Sequence, residues 1–280
     1  MKIANLSGRL VLVTSERRAI DVATESSGSF GPDPMAAFDD WAAFRDWATG
    51  VTAPGDSFDP SALGPPVPRP AQIFAIGVNY REHAKEAGYP PDSLPVTFTK
   101  FPSSLTGPDA TVVLPPQGSV DWEVELVVAI GEGGHAIARE DAWRHVAGLT
   151  VGQDLSERVA QLEGQRPQFS LAKSHPGFSP TGPWLVTPDE IPDAADLAIS
   201  CALDGETMQE SRTSRMIYDI PELIARLSAV VTLLPGDLIF TGTPSGIGNA
   251  RNPRRFIQAG EVLTSTIQDV GTLTTRFTSG

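Results

Sequence analysis

The sequence predicts a mixed α+β domain that is mainly β, and three observations carry that prediction. Short apolar runs with strand-like spacing recur along the chain, among them "QIFAIGV", "VTFTKF", "ATVVLP", "LAISCALDG", "DLIFTGT" and "TLTTRF". Helical patterns are few and do not alternate regularly with these runs, which argues against a doubly wound or (β/α)8 fold. No fixed-period repeat runs through the 280 residues, so a solenoid or propeller is not indicated.

Taken in order, residues 2–14 read as two short strands about a turn at Ser7-Gly8, followed by a polar, glycine-rich loop through residue 34. In "MAAFDDWAAFRDWA" (35–48), Phe38, Trp41, Ala42, Phe44 and Trp47 fall at near-helical spacing and predict an amphipathic helix. Residues 53–70 are dense in Pro and Gly and read as a linker. It divides a small α/β unit, residues 1–52, from a main domain spanning 71–280. Within the main domain helices are predicted over 139–149, 156–165 and 220–234, the last ended by Pro235-Gly236.

A net charge of −13 and a pI near 4.7 argue against a nucleic-acid partner or an anionic membrane surface, both of which need clustered Lys and Arg. They do not exclude an anionic small substrate, which a metal or a local basic group can neutralise. The one cysteine, Cys201, lies in an alternating apolar strand and reads as a small buried hydrophobe. With no second thiol for an intrachain disulfide, and no apolar window approaching ~20 residues, a cytoplasmic protein is expected.

The stretch "SVDWEVELVVAI" (119–130) poses the functional question. Side chains two apart on a strand share a face, so Asp121, Glu123 and Glu125 line one side while Trp122, Val124, Leu126, Val128 and Ile130 line the other. Two readings are open. The acids form a solvated edge, or they are buried and must be protonated or bound to a cation. Asp154 follows an apolar stretch and precedes a helical pattern with Ser156 in cap position, so a strand and a loop can offer three oxygen ligands. Oxygen ligands suit Mg²⁺, Mn²⁺ or Ca²⁺, and no His/Cys cluster of zinc spacing occurs.

In "GVNYREHAKEAG" (77–88), Asn79 with Glu82 suggests a capping box and Gly88 a helix end. His83 and Glu86, three apart, share a face of that helix, as an exposed pair or as a general base with its supporting carboxylate. "TGTPSGIGNA" (241–250) lacks the lysine of a phosphate-binding loop. It reads as a tight turn or as a loop whose N–H groups and threonines approach a ligand.

Together these segments resemble the fumarylacetoacetate hydrolase family over about 70–276. The motifs follow in the family's order: "GVNYREHAKE", "FTKFPSSLTGP", "DWEVELVVAIG", "VAGLTVGQDLSER", "LAKS", "SPTGPWLVT", "LDGETMQ" and "PGDLIFTGTPSGIG". The resemblance implies a mixed β-sandwich roll with a small N-terminal accessory domain, and a homodimer. It implies a metal site at Glu123, Glu125 and Asp154, holding Mg²⁺ with Mn²⁺ or Ca²⁺ as substitutes. Asp121, facing the same way, falls outside that ligand set. The resemblance also implies a catalytic His83–Glu86 pair on a mobile segment, an active-site Lys173, and substrate contacts from Arg158, Gln161, Gly242 and Thr243. One departure is plain: relatives often read Phe-Asp two residues beyond the lysine, and this chain has His175-Pro176.

The implied activity is on small 2-oxo acids through an enolate stabilised by a divalent ion, with C–C hydrolysis of an acylpyruvate as the leading expectation. Isomerisation or decarboxylation of 2-oxo-dicarboxylates, as in aromatic catabolism, passes through a similar enolate, as does dehydration or lysis of sugar-derived 2-oxo acids. A non-catalytic metal-binding dimer is the expectation of a different class.

Overall fold

The computed structural model describes residues 1–90, 94–116 and 118–280. Its main sheet runs through strands Asp56–Ser57, Arg18–Asp21, Arg9–Ser15, Lys2–Leu6, Ser179–Val186, Val146–Gln153, Val124–Ile130, Leu238–Phe240, Ile73–Gly77 and Val96–Thr99. A second sheet of five strands packs across it in the order Glu206–Arg212, Ala198–Leu203, Val262–Ile267, Gly271–Ser279 and Asp109–Leu114. The architecture is mixed and mainly sheet, as the spacing of apolar runs predicts.

Strand Val124–Ile130 is buried along its whole length and lies inside the main sheet, paired with Val146–Gln153 on one side and Leu238–Phe240 on the other. A strand covered on both faces needs apolar side chains at successive positions, hence the nearly unbroken run from Leu126 to Ile130. Val124, Leu126, Val128 and Ile130 point into the core between the sheets, with Ile199, Leu263 and Phe277 opposite. Val127 and Ala129 point the other way, into a second core formed with Phe38, Trp41 and Phe44. The N-terminal segment thus covers the back of the main sheet, and Lys2–Leu6 joins that sheet by pairing with Ser179–Val186.

Local pattern and tertiary pairing disagree in several places. Residues 35–48 do not form one helix: a 3-10 turn, Pro34–Phe38, precedes an α-helix, Trp41–Thr49, whose N-cap is Asp40. The loop expected through residue 34 contains a third strand, Arg18–Asp21, with Ala19 and Ile20 buried. Only Arg139–His145 is helical in the 139–149 segment, and it is 3-10; Val146 onward is strand, because its apolar side chains pair with Val124–Ile130 in the sheet centre. In 156–165, Ser156–Glu157 pairs with Val120–Asp121, leaving one helical turn, Arg158–Gln161. That turn is capped by Glu157, whose carboxylate accepts from the N–H of Val159 and Ala160, while the Ser156 hydroxyl donates to the Asp154 carbonyl. The 220–234 helix ends at Ser228, before the β-branched run Val230-Val231-Thr232.

Candidate active site

The acidic ladder is not one continuous strand. Val120–Asp121 pairs with Ser156–Glu157, Val124–Ile130 enters the main sheet, and Trp122 and Glu123 bridge the gap. The bridge is pinned from both sides: the Asp154 N–H donates to the Glu123 carbonyl at 2.9 Å, and the Glu123 N–H donates to Gln153 Oε1 at 2.9 Å. Those bonds bring the loop aspartate beside the strand glutamates. One carboxylate oxygen each from Glu123, Glu125 and Asp154 lie within 4.8 Å of one another, and all three residues are buried. Burial rules out the solvated edge.

Three buried cations face these acids. Lys173 Nζ donates to Glu123 Oε2 (2.9 Å), Asp154 Oδ2 (2.7 Å) and Ser156 Oγ (2.7 Å). Arg158 donates to Asp121 Oδ1 (2.7 Å), Glu123 Oε1 (2.5 Å) and Gln161 Oε1 (2.7 Å). Lys100 Nζ donates to Asp154 Oδ1 (2.5 Å) and to the Lys173 carbonyl. Four carboxylates (Asp121, Glu123, Glu125, Asp154) against Lys100, Arg158 and Lys173 leave one negative charge if all are ionised. Glu125 is the acid without a cation in contact among the described residues; its Oε2 accepts only the Gly242 N–H, at 2.8 Å.

The electrostatics follow. Burial pushes Glu125 well above the usual carboxylate range, and repulsion from Asp154 and Glu123 adds to the rise. Burial raises Asp121 to about 6, against the pull of Arg158. Burial also acts on Glu123, but Lys173 and Arg158 outweigh it and hold that carboxyl down at about 2. Lys173 is pushed down by burial, yet Asp154 and Glu123 raise it above its ordinary value. Lys100 is lowered by burial against the opposing effect of Asp154.

A short helix, Arg81–Glu86, sits over this cluster. The expected capping box does not form: Tyr80 is the N-cap, without a side-chain cap bond, and Glu82 pairs with Arg215. Asn79 is fully buried, so its amide is spent on backbone, donating to the carbonyls of Tyr218 (2.9 Å) and Thr241 (2.7 Å) and accepting from the Tyr218 N–H (2.8 Å). That clamp holds Val78 at φ 63°, a conformation costing a β-branched residue about 1–3 kcal/mol. Gly88, at φ 76°, ends the helix as expected. His83 Nδ1 lies 3.0 Å from Glu86 Oε2, and Glu86 Oε1 accepts the Gly246 N–H at 2.9 Å. Glu86 therefore ties the helix to the glycine-rich loop and leaves His83 Nε2 as the ring nitrogen for the cavity.

Gly242 and Thr243 follow strand Leu238–Phe240. Gly242 has φ 99°, and a Cβ there would lie 2.7 Å from Asn79 Cβ, so only glycine lets this loop pass and offer its N–H to Glu125. The Thr243 hydroxyl donates to the Val124 carbonyl (2.9 Å) and accepts from Gln209 Nε2 (2.8 Å).

A cavity of about 330 Å³ opens on the cluster. Of the residues singled out from sequence, His83, Glu86 and Glu123 line it, as do Arg158, Gln161, Lys173 and Thr243. Glu125 and Asp154 lie behind Glu123 in the acid triad, and Gly242 serves Glu125 through its N–H. Lys173 takes its support from Ser156 and two carboxylates, while His175 packs on Phe178 with ring centroids 4.8 Å apart. Lys100 and Gln209 were not singled out. Lys100 stands two residues after Phe98 at the end of an apolar strand, which is the one sequence hint that its ammonium turns inward.

The donor set fits a divalent ion on the structure's own terms. It is all oxygen, buried, clustered within 4.8 Å, and carries one carboxylate left without a cation.

Comparisons with known proteins agree. Residues 72–278 match the profile of the fumarylacetoacetate (FAA) hydrolase C-terminal domain. A crystal structure of a provisionally assigned HpcE protein from Mycobacterium smegmatis superposes with TM-score 0.95 at 52% identity, covering 100% of both chains. The maleylpyruvate hydrolase of Sphingobium sp. SYK-6, crystallised with manganese(II) and pyruvate, gives TM-score 0.82 at 29% identity, again over 100% of both chains. A Bos taurus mitochondrial oxaloacetate tautomerase, FAHD2A, is 43% identical over 209 residues, 74% of this chain and 67% of the relative.

Proposed function

The chain belongs to the fumarylacetoacetate hydrolase family, and on that premise we propose that it hydrolyses a C–C bond in an acylpyruvate-type 2-oxo acid. The observation that carries the reading is convergence: the His83–Glu86 pair and the buried acid triad meet at one cavity of about 330 Å³. Glu123, Glu125 and Asp154 would hold the divalent ion, Mg²⁺ with Mn²⁺ or Ca²⁺ as substitutes, which supplies Lewis-acid stabilisation of negative charge on the substrate's oxygens. His83 acts as general base through Nε2, taking a proton from the water that attacks the distal carbonyl. Glu86, bound to Nδ1, fixes the ring and stabilises its protonated form. Lys173 holds the substrate carboxylate or the charge that develops on oxygen, and Arg158, Gln161 and Thr243 orient the substrate.

The test is turnover of acetylpyruvate by metal-stripped protein before and after Mn²⁺ or Mg²⁺ is restored. Activity should return with the metal and fail in Glu123→Ala and Asp154→Ala. His83→Ala should lower hydrolysis about 10²–10⁴-fold. Full turnover in any of the three variants sinks the assignment.

Isomerisation or decarboxylation is the second reading, favoured by the similarity to an oxaloacetate tautomerase. Neither needs an attacking water, so a His83→Ala protein that loses acetylpyruvate hydrolysis but still decarboxylates or tautomerises oxaloacetate would select it.

We further propose that residues 1–52 are an accessory unit joined through 53–70 to the catalytic domain 71–280, supported by the family match beginning at residue 72. A homodimer in the cytoplasm completes the proposal, on the family expectation and on a single, buried cysteine. No helix among the described residues is long and apolar enough to cross a membrane.

A further inference from the structure

Of the three basic side chains that face the acids, Arg158 and Lys173 line the cavity and Lys100 stays behind its wall, with a side chain 0% exposed. The Lys100 ammonium has three donors. Three protein oxygens meet it: Asp154 Oδ1 at 2.5 Å, the Lys173 carbonyl and, at 3.5 Å, the Phe178 carbonyl. No donor remains for a substrate, so Lys100 acts through Asp154.

The same division recurs on all three acids of the triad. Glu123 turns Oε1 to Arg158 (2.5 Å), Glu125 turns Oε2 to the Gly242 N–H (2.8 Å), and Asp154 turns Oδ1 to Lys100. Each carboxylate therefore has one oxygen held from outside the triad. The second oxygens of Glu123 and Asp154 turn to the Lys173 ammonium, at 2.9 and 2.7 Å. A carboxylate oxygen has two lone-pair sites, so each of these can accept from Lys173 and still offer one site to an ion. The count is one ligand oxygen per carboxylate. That count suits the octahedral shell of Mg²⁺ or Mn²⁺, whereas Ca²⁺ takes about six to eight oxygens and often both from one carboxylate.

We propose that Lys100 is a positioning residue for the choice of metal: by holding Asp154 Oδ1 it limits Asp154 to one ligand oxygen and sets the site for Mg²⁺ or Mn²⁺ ahead of Ca²⁺. The inference rests on the metal-site reading above and ranks the ions named there. Arg158 and Gly242 hold the other two acids in the same way. Arg158 also lines the cavity and Gly242 donates through its backbone, so Lys100 is the position that can be changed without altering the cavity wall.

The test is a titration of Mn²⁺ and of Ca²⁺ into the metal-free whole chain, read as the ratio of the two dissociation constants. The parent should bind Mn²⁺ at least about a hundredfold more tightly than Ca²⁺, and Lys100→Met should shrink that ratio about tenfold. Removing the positive charge strengthens binding of both ions, so the ratio and not either affinity reports on ligation. Lys100→Gln loses the charge but keeps an N–H donor, and its ratio should stay closer to the parent's. Infrared difference spectra of the parent, Mn²⁺-loaded minus metal-free, need no variant and should show carboxylate stretches of one-oxygen ligation. Two-oxygen bands there, Ca²⁺ bound as tightly as Mn²⁺, or a ratio that Lys100→Met leaves unchanged would overturn the inference alone. Equal ratios in the two variants would assign the effect to charge and overturn it as well. Binding of neither ion to the parent would overturn the metal site and the inference with it.

Discussion

Strand Val124–Ile130 presents one face with two unlike halves. Glu125, 1% exposed, lies among Glu123, Asp154 and three basic side chains. Val127 and Ala129, both 0% exposed and on the same face, lie under Phe38, Trp41 and Phe44 of the N-terminal segment. Burial is equal and the solution opposite. At one half the chain removes water with aromatic rings; at the other it removes water and replaces it with ammonium and guanidinium groups, leaving Glu125 unmatched. A buried carboxylate with no cation is a cost that a purely structural core has no reason to carry. The difference sets the acid triad apart as the candidate binding site.

The comparison can be broken most severely by moving the charge. Val127→Asp places a carboxylate in the half that has no cation, and a loss of several kcal/mol is expected, read as absence of a cooperative thermal transition. Trp41→Ala tests the apolar half alone. It should cost about 3–5 kcal/mol in denaturant unfolding while leaving Mn²⁺ affinity as in the parent protein.

Lys100→Met tests the polar half. Removing the partner of Asp154 should cost about 3 kcal/mol in the metal-free protein, and saturating Mn²⁺ should restore most of it by supplying the missing charge. If Mn²⁺ stabilises the variant no more than the parent, Lys100 and the metal do not share that carboxylate.

Glu125→Gln should have the smallest effect on folding, and in the opposite direction: a gain of about 1 kcal/mol without metal. The sign follows from its raised folded-state pKa. Ionising Glu125 costs stability as pH rises from the ordinary carboxylate range through that raised value, and Asp121 adds a slope of the same sign up to about 6. The metal-free parent should therefore lose thermal stability with rising pH across this window, and Glu125→Gln should lose less. A parent melting curve that does not move with pH would remove the argument.

Much of this was legible in the sequence. The period-two spacing of Asp121, Glu123 and Glu125 gave their shared side, and the apolar run after them gave burial of the strand. Asp154 was legible because it breaks an apolar stretch. The gap at Trp122–Glu123 was not, since it is made by hydrogen bonds that Glu123 donates to Gln153 and accepts from Asp154, some 30 residues away. Lys100 was hidden for the same reason: a lysine ending a strand reads as solvent-facing until its partner is placed. Asn79 looked like a cap because Asn and Glu three apart fit that local pattern, yet burial turned its amide toward Tyr218 and Thr241. The helix expected over 139–149 failed where Val146 found a neighbouring strand, a case of sheet pairing overriding local spacing.

The most direct test is calorimetric titration of Mn²⁺ into metal-free protein and its Glu125→Gln variant, in buffers of different ionisation enthalpy. The account predicts one ion per chain, and proton release on binding at any pH low enough for Glu125, whose carboxyl burial pushes up, still to carry its proton. Affinity should rise with pH, by up to about tenfold per unit for each proton released, and should fall at least about a hundredfold in the variant. Binding of equal strength in both proteins, or no binding to the parent, would contradict it.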